Sequence, residues 1–384
     1  MILLLKSQIE TLNYFIDCMS LNNKDLVIID FENAAWLEQI THIYDKIDEN
    51  TIVISFNGAG IRLSFHNDIN MWEYKNVKLF NILVDHPINF RYTLENNITN
   101  ENTIVVDKYH KLYIEKYITN KSSVLFLPHG GFEQKKNIPY AKRNIDVFYP
   151  GSNQCNVTSF PIITYLPENG EELYDFAIAM VLKNHSLELI DVLKLYLLQT
   201  NITLENIQIN EIIHFLHITV EPIYRREYKM ETMRYLAMSG ITVHVCGNDW
   251  EELAAEFPDK IISHGPISSE RCIDLISDSK ITLNIMPLFK NGSHERIYNA
   301  MLNHSICITD RSIYLEEKFQ HEQNIIFFNI NKLSQLAANI KDLLQDIIKA
   351  QNIIDNAYSL VSKSTWKDRL YTIITENFHD ETII

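Results

Sequence analysis

The chain has 384 residues, 46% of them hydrophobic, which is long for one domain and comfortable for two. Its 34 Lys and Arg against 49 Asp and Glu give a formal charge of -15, and no Lys/Arg-rich run offers the phosphate-neutralising surface that DNA or RNA binding needs. Five cysteines without paired spacing (Cys18, Cys155, Cys246, Cys272, Cys307) exclude a disulfide framework and a cysteine zinc site, and fit a reducing, cytoplasmic setting.

The opening "MILLL" meets Lys6 at once and is too short for a secretory apolar region, and no run approaches the roughly 18 residues of a membrane span. Short β-branched runs follow, separated by helix-like segments: "DLVIIDF" (25–31), "TIVISF" (51–56), "KLFNILVD" (78–85), "NTIVVD" (102–107) and "SVLFLPHGG" (123–131). Continuous apolar runs of this length predict buried parallel strands of an α/β unit. A polar connection, "EQKKNIPYAKRN", sets the expected domain boundary, so the first domain covers 1–142. The second, 143–365, opens on the strand "IDVFYPGS" and carries a helical insert at about 168–220. Alternation then resumes with the helix "EYKMETMRYLAMSG", strand "ITVHVCGN", strand "KIISHG", helix "SSERCIDLISDS" and strands "KITLNIMP", "SICITD" and "NIIFFN". The tail from about 333 reads as two helices, the last (366–384) crossing back to the first domain. The fold class is α/β, with two Rossmann-like, doubly wound domains facing a cleft.

Ligands of doubly wound sheets collect at the carboxyl ends of strands, so the residues there are the candidates. After "KITLNIMP" comes "KNGSHER": Ser293 is read as the N-cap of a helix beginning at His294, with Gly292 in the loop. A helix N-terminus offers unpaired N–H donors, and Arg296 in the first turn adds a full charge, which suits a phosphate. Glu295 and Asn299 lie four apart on one face, placed to hydrogen-bond hydroxyls. Without a ligand, the same cluster is a capped core helix with Glu295 and Arg296 solvated. Gly151 and Ser152 follow the first strand of the second domain, Gly247 and Gly265 end two others, and His264 is placed to flank a base. Arg225 and Arg226 can reach a diphosphate. In the first domain Gly58 and Gly60 follow a strand, but Leu63 breaks the three-glycine dinucleotide fingerprint. Asp85, His86 and His129 stand at strand ends as general-base candidates, against the ordinary role of a hydrogen-bonded structural residue. No Asp-x-Asp pair, P-loop, nucleophile elbow or zincin motif occurs, which counts against a metal-held donor and against those hydrolase classes.

On these residues the second half resembles the donor domain of GT-B-fold glycosyltransferases of the group-one, spore-maturation-protein-like type. "SKITLNIMP", "NGSHERIYNAMLNHSICITDRS" and "NIIFFN" follow in that family's order, "RNIDVFYPGS", "VHVCGNDW" and "HGPIS" match earlier strands, and "VDHP" and "LPHGG" resemble its N-terminal partner. The similarity spans roughly 78–90 and 123–375, apart from the insert. It implies a nucleotide-diphospho-sugar, UDP- or GDP-linked, as co-substrate held by the second domain, no metal, and a glycan, protein or small-molecule acceptor on the first. By position, Gly292 to His294 and Arg296 would meet the diphosphate or sugar, and Asn299 the ribose. Related retaining enzymes carry two glutamates spaced by seven residues; Asn291 and Asn299 stand here and supply no charge. A nucleotide-sugar epimerase of the same fold and a non-catalytic nucleotide-sugar or glycan-binding scaffold are the alternatives.

Overall fold

The structure, a computed structural model, describes residues 1–6, 26–64, 69–95, 98–118, 123–134, 136, 138–155, 157, 161–185 and 187–375. Cys18 and positions 376–384 of the expected terminal helix lie outside these. The chain forms two compact units, residues 1–130 with 364–384, and residues 131–363.

The first unit is built on a six-stranded parallel sheet of order β2-β1-β3-β4-β5-β6, with β1 Ile2–Lys6, β2 Leu26–Asp30, β3 Ile52–Phe56, β4 Lys78–Leu83, β5 Glu101–Val105 and β6 Val124–Phe126. The run set aside above only as too short for a leader is an interior strand: β1 pairs with both β2 and β3, and Leu3, Leu4 and Leu5 are fully buried. Parallel pairing buries both faces of a strand, which is why an unbroken apolar run was needed there. α1 (Trp36–Ile43), α2 (Met71–Tyr74), α3 (Arg91–Glu95) and α4 (Lys108–Tyr117) follow strands of this sheet. Asn70 caps α2 through bonds from the Trp72 and Glu73 amides, and Asp107 caps α4. Trp366, 1% exposed, opens the terminal helix and packs edge-on to Phe56 and His129.

The second unit has strand order β12-β11-β10-β7-β8-β9, all parallel: β7 Ile145–Pro150, β8 Val243–Cys246, β9 Ile261–Ser263, β10 Ser279–Asn284, β11 Ile306–Asp310 and β12 Ile326–Phe328. The order reverses between β7 and β10, so the crevice at their carboxyl ends is the topological switch point. The crossover from β7 to β8 holds the helical insert, α5 (Glu171–Lys183), α6 (Leu189–Thr200) and α7 (Asn206–Met238). The expected end of the insert at 220 and the separate helix after it are one element: α7 runs 33 residues with Pro222 inside. Proline removes one ladder bond at a cost of about 3 kcal/mol, yet the buried face from Ile212 to Leu236 carries the helix through. α8 (Glu251–Glu256), α9 (Ser269–Ser277), α10 (Glu295–Leu302) and α11 (Ile313–Lys318) complete the alternation. The tail is three helices rather than two, α12 (Leu333–Gln345), α13 (Ile347–Val361) and α14 (Trp366–Thr375), because Asp346 ends one and caps the next through the Lys349 amide.

The unit boundary lies at Gly130–Gly131 rather than near 142. The stretch after it is clasped by α10: Phe132 N donates to Asn299 Oδ1 (2.8 Å), Gln134 N to Asn303 Oδ1 (2.8 Å), and Asn303 Nδ2 to Phe132 O (2.7 Å). A Cβ on Gly131 would stand 2.7 Å from Tyr298 Cβ, so only glycine permits this approach.

Candidate functional site

At the switch point of the second sheet, the turn leaving β7, the turn leaving β10, one face of α7 and the first turn of α10 enclose a cavity of about 310 Å³. Its lining includes three basic side chains, Arg225, Lys229 and Arg296, beside Tyr149, Gly151, Ser152, Ile285 and Pro287, and no carboxylate among the described residues.

Arg296 is held over the floor. Its guanidinium lies over the Tyr149 ring at 5.5 Å, with Nη1 3.3 Å from Ile285 O and 3.5 Å from the Tyr149 hydroxyl. Burial keeps the Tyr149 hydroxyl un-ionised, with Arg296 opposing. The cap of α10 is His294, not Ser293: His294 Nδ1 accepts from the Arg296 amide at 3.2 Å. His294 Nε2 also lies 3.1 Å from Arg296 Nη2. A neutral imidazole has one lone-pair nitrogen, so these two contacts compete for it. Ser293 is buried instead, its hydroxyl 3.1 Å from that of Tyr298, and Gly292 O accepts from the Ser312 hydroxyl at 2.6 Å.

Lys229 was not singled out by the sequence. It is 5% exposed and donates to Ser152 O at 2.6 Å. Burial first, then Arg225 and Arg296, pull its ammonium down to about 7. The missed signal was spacing: Lys229 stands four residues after Arg225, on one face of a helix whose continuity through Pro222 was not foreseen. Arg225, half exposed, is steadied by Glu221 at 3.3 Å. Burial would raise the Glu221 carboxyl, but His217 and Arg225 outweigh it and hold the group below its ordinary range.

The turns after β7 and β8 are stitched together. Asn248 N donates to Ser152 Oγ (3.1 Å), Trp250 Nε1 to Gly151 O (2.9 Å) and Gly247 N to Gly265 O (2.8 Å). Gly247 has φ +98°, and a Cβ there would sit 2.5 Å from Ser152 Oγ, so it shapes the wall without facing the cavity.

The remaining expected donor residues go elsewhere. Arg226 pairs with Glu252 on α8 at 3.3 Å. His264 lies against His244 at 3.0 Å, and neither His264 nor Gly265 lines the cavity. Asn291 and Glu295 are half-buried outside the lining; Glu295 helps raise the Cys272 thiol, after the Cys246 hydrogen bond and burial. Asn299, expected at the ribose, is 3% exposed and spends its carbonyl on Phe132 N, because its side chain lies on the α10 face that holds the 131–134 stretch.

In the first unit Asp85 is exposed after β4 and accepts from Asn57 Nδ2 at 3.2 Å. His86 caps the 3-10 turn Pro87–Phe90, Nδ1 accepting from Ile88 N at 3.1 Å, with its ring 4.6 Å from that of His110. His129 is 4% exposed, edge-on to Trp366. Gly58 and Gly60 take positive φ in the turn leaving β3, where Gly58 N donates to Asn81 Oδ1. Among the described residues no group of three or more His, Cys, Asp or Glu is placed to hold a metal ion, and no helix is long and apolar enough to cross a membrane.

Residues 225–375 match the family model described as glycosyl transferase-like. A search of curated proteins finds no match to the sequence. Among solved structures, sucrose-phosphate synthase from Thermosynechococcus elongatus superposes at TM-score 0.51 and 10% identity, covering 97% of this chain and 96% of that one. HepE from Anabaena, in complex with UDP-glucose, superposes at 0.51 and 11%, covering 96% of each. The chain spans 57% of the length of TarM, which it matches at TM-score 0.47 and 12% identity over 88% of its own length. With two six-stranded parallel sheets and helices between their strands, the chain has the GT-B fold, and its residues 225–375 are similar in sequence to the glycosyl transferase-like family.

Proposed function

We propose that the protein is a hexosyltransferase that moves a sugar from a nucleotide-diphospho-sugar, UDP-linked, to a hydroxyl of a glycan or protein acceptor, without a metal and in the cytoplasm. The observation that carries this is the convergence of Arg225, Lys229 and Arg296 on an acid-free cavity at a switch point. A departing diphosphate needs its growing charge met by donors already in place, and three cations meet it where a metal-dependent enzyme would use an ion. HepE, of like fold, binds UDP-glucose, which favours the uridine donor. In the transfer the acceptor oxygen forms a bond to the sugar's anomeric carbon. The bond from that carbon to the diphosphate breaks with its electron pair, and the acceptor proton passes to a base. For an inverting reaction we assign the base to Asp85, since His86 uses Nδ1 as a cap and His129 is buried.

A thermal-shift screen against UDP-, GDP-, CMP- and dTDP-sugars tests this. A ligand at one hundred times its Kd stabilises by about 2.7 kcal/mol, so one base class should raise the unfolding midpoint by a few degrees. No shift with any of them sinks the reading. The engagement of Asn299 in packing favours a second reading, a nucleotide-sugar-binding protein without turnover. Binding without release of nucleoside diphosphate, in the presence of varied glycan acceptors, would establish it.

A further inference from the structure

Lys229 faces positive charge on several sides. From its own helix come Arg225 and Arg226, the latter paired with Glu252, and from α10 comes Arg296. The Cys155 thiol and the Ser152 carbonyl approach from the segment after β7, and Glu221, one turn before Arg225 on α7, is already engaged by His217 and Arg225. Guanidinium groups do not release a proton in proteins, whereas an amine does, so the lysine is the one cation of the three that can relieve the crowding. A neutral amine still donates to Ser152 O, and the side chain therefore keeps its place in either state.

We propose that Lys229 is neutral in the ligand-free chain and takes up one proton from solvent when a diphosphate enters the cavity, so that donor binding is coupled to proton uptake. This rests on the reading of the cavity as the diphosphate site. The balance is one amine, one proton and one diphosphate giving an ammonium–diphosphate pair, with no covalent bond changed. Two negative charges beside the amine reverse the local field and favour its charged form. The empty site is spared a third cation, and the filled site regains it where the negative charge has arrived.

Two measurements on the full chain test this. The first is a pH titration of the Lys229 side-chain NMR signal in the ligand-free protein, assigned by its loss in Lys229→Arg and, should that variant not fold, in Lys229→Met. A midpoint near 7 is expected, as burial and the two arginines dictate. A midpoint near the ordinary value of about 10.5 overturns the proposal whether or not any ligand binds. The second is calorimetric binding of UDP-glucose, GDP-mannose and dTDP-glucose, whose phosphate diesters exchange no proton near neutrality, in buffers of differing ionisation enthalpy. Uptake of about half a proton near pH 7, rising towards one at about pH 8.5, is expected, with affinity falling roughly tenfold per unit above that. Binding without uptake overturns the coupling. A lysine titrating near 7 in a chain that binds none of the three overturns the donor reading alone and leaves the neutral lysine established.

Discussion

Both units place a switch point at the carboxyl end of a parallel sheet, and the two differ in charge: one is balanced and the other is basic. In the first, where the order reverses between β1 and β3, Lys6 leaves β1 already paired with Asp30 at 2.9 Å. The turn after β3 is closed by packing: a Cβ on Gly60 would lie 2.1 Å from the Phe31 ring. In the second, between β7 and β10, three basic side chains line an open cavity with no acid among the described lining residues. Connectivity alone makes the crevice in each sheet. The elements laid across it, α7 and the first turn of α10, decide whether it is balanced or holds unmatched charge for a ligand to meet.

The contrast breaks most readily at Arg296. Arg296→Ala should weaken nucleoside-diphosphate binding by about 100-fold, or roughly 3 kcal/mol, because a desolvated charge partner is lost while the ligand's charge still has to be buried. Arg296→Lys should recover only part, since an ammonium cannot reproduce the fork that reaches past Tyr149 and Ile285. Calorimetric titration with UDP measures both. Wild-type affinity in Arg296→Ala would mean that the cavity is not where the diphosphate sits.

The sequence showed the strands of the second sheet, and with them the place of Gly151, Ser152 and Arg296, because an apolar run followed by a glycine or a cap is a local signal. It missed what depends on distant packing. β1 was invisible because a five-residue apolar run at a chain start has no neighbours in sequence that mark it as a strand. The continuity of α7 was hidden by Pro222, whose local penalty is overridden by burial along the helix, and Lys229 was lost with it. Arg226 and His264 stood where expected along the chain, but side-chain partners on neighbouring elements, Glu252 and His244, turned them to other tasks. The face chosen by Asn299 could not be read from periodicity, because α10 is buried nearly all round from Ile297 to Leu302.

Asn299 gives an effect of intermediate size. Asn299→Ala leaves the buried Phe132 N–H without its acceptor, at a cost of about 1–3 kcal/mol read from the chemical-denaturation midpoint. Nucleotide affinity, measured under conditions where the variant is folded, should be unchanged. A loss of affinity beyond that of the folded fraction would return Asn299 to the ribose and move the site away from the α7 cations.

The smallest effect is expected at the balanced switch point. Lys6 and Asp30 are part-exposed, with side-chain exposures of 19% and 28%, so Lys6→Met should cost no more than about 1 kcal/mol and leave UDP affinity untouched. The deficit should also depend on pH in a definite direction. Burial would raise the Asp30 carboxyl, but the Lys6 hydrogen bond and charge, with the amides of Glu32 and Asn33, together hold it below its ordinary value. A depressed carboxylate contributes stability above its unfolded value, near 4, and loses it as pH falls through the folded one. Wild type and variant should therefore differ at neutral pH and converge on acidification, in denaturant melts followed at low salt. A folded Lys6→Met that lost UDP binding outright would show that the first switch point is not closed on itself, and that charge balance alone does not separate the two crevices.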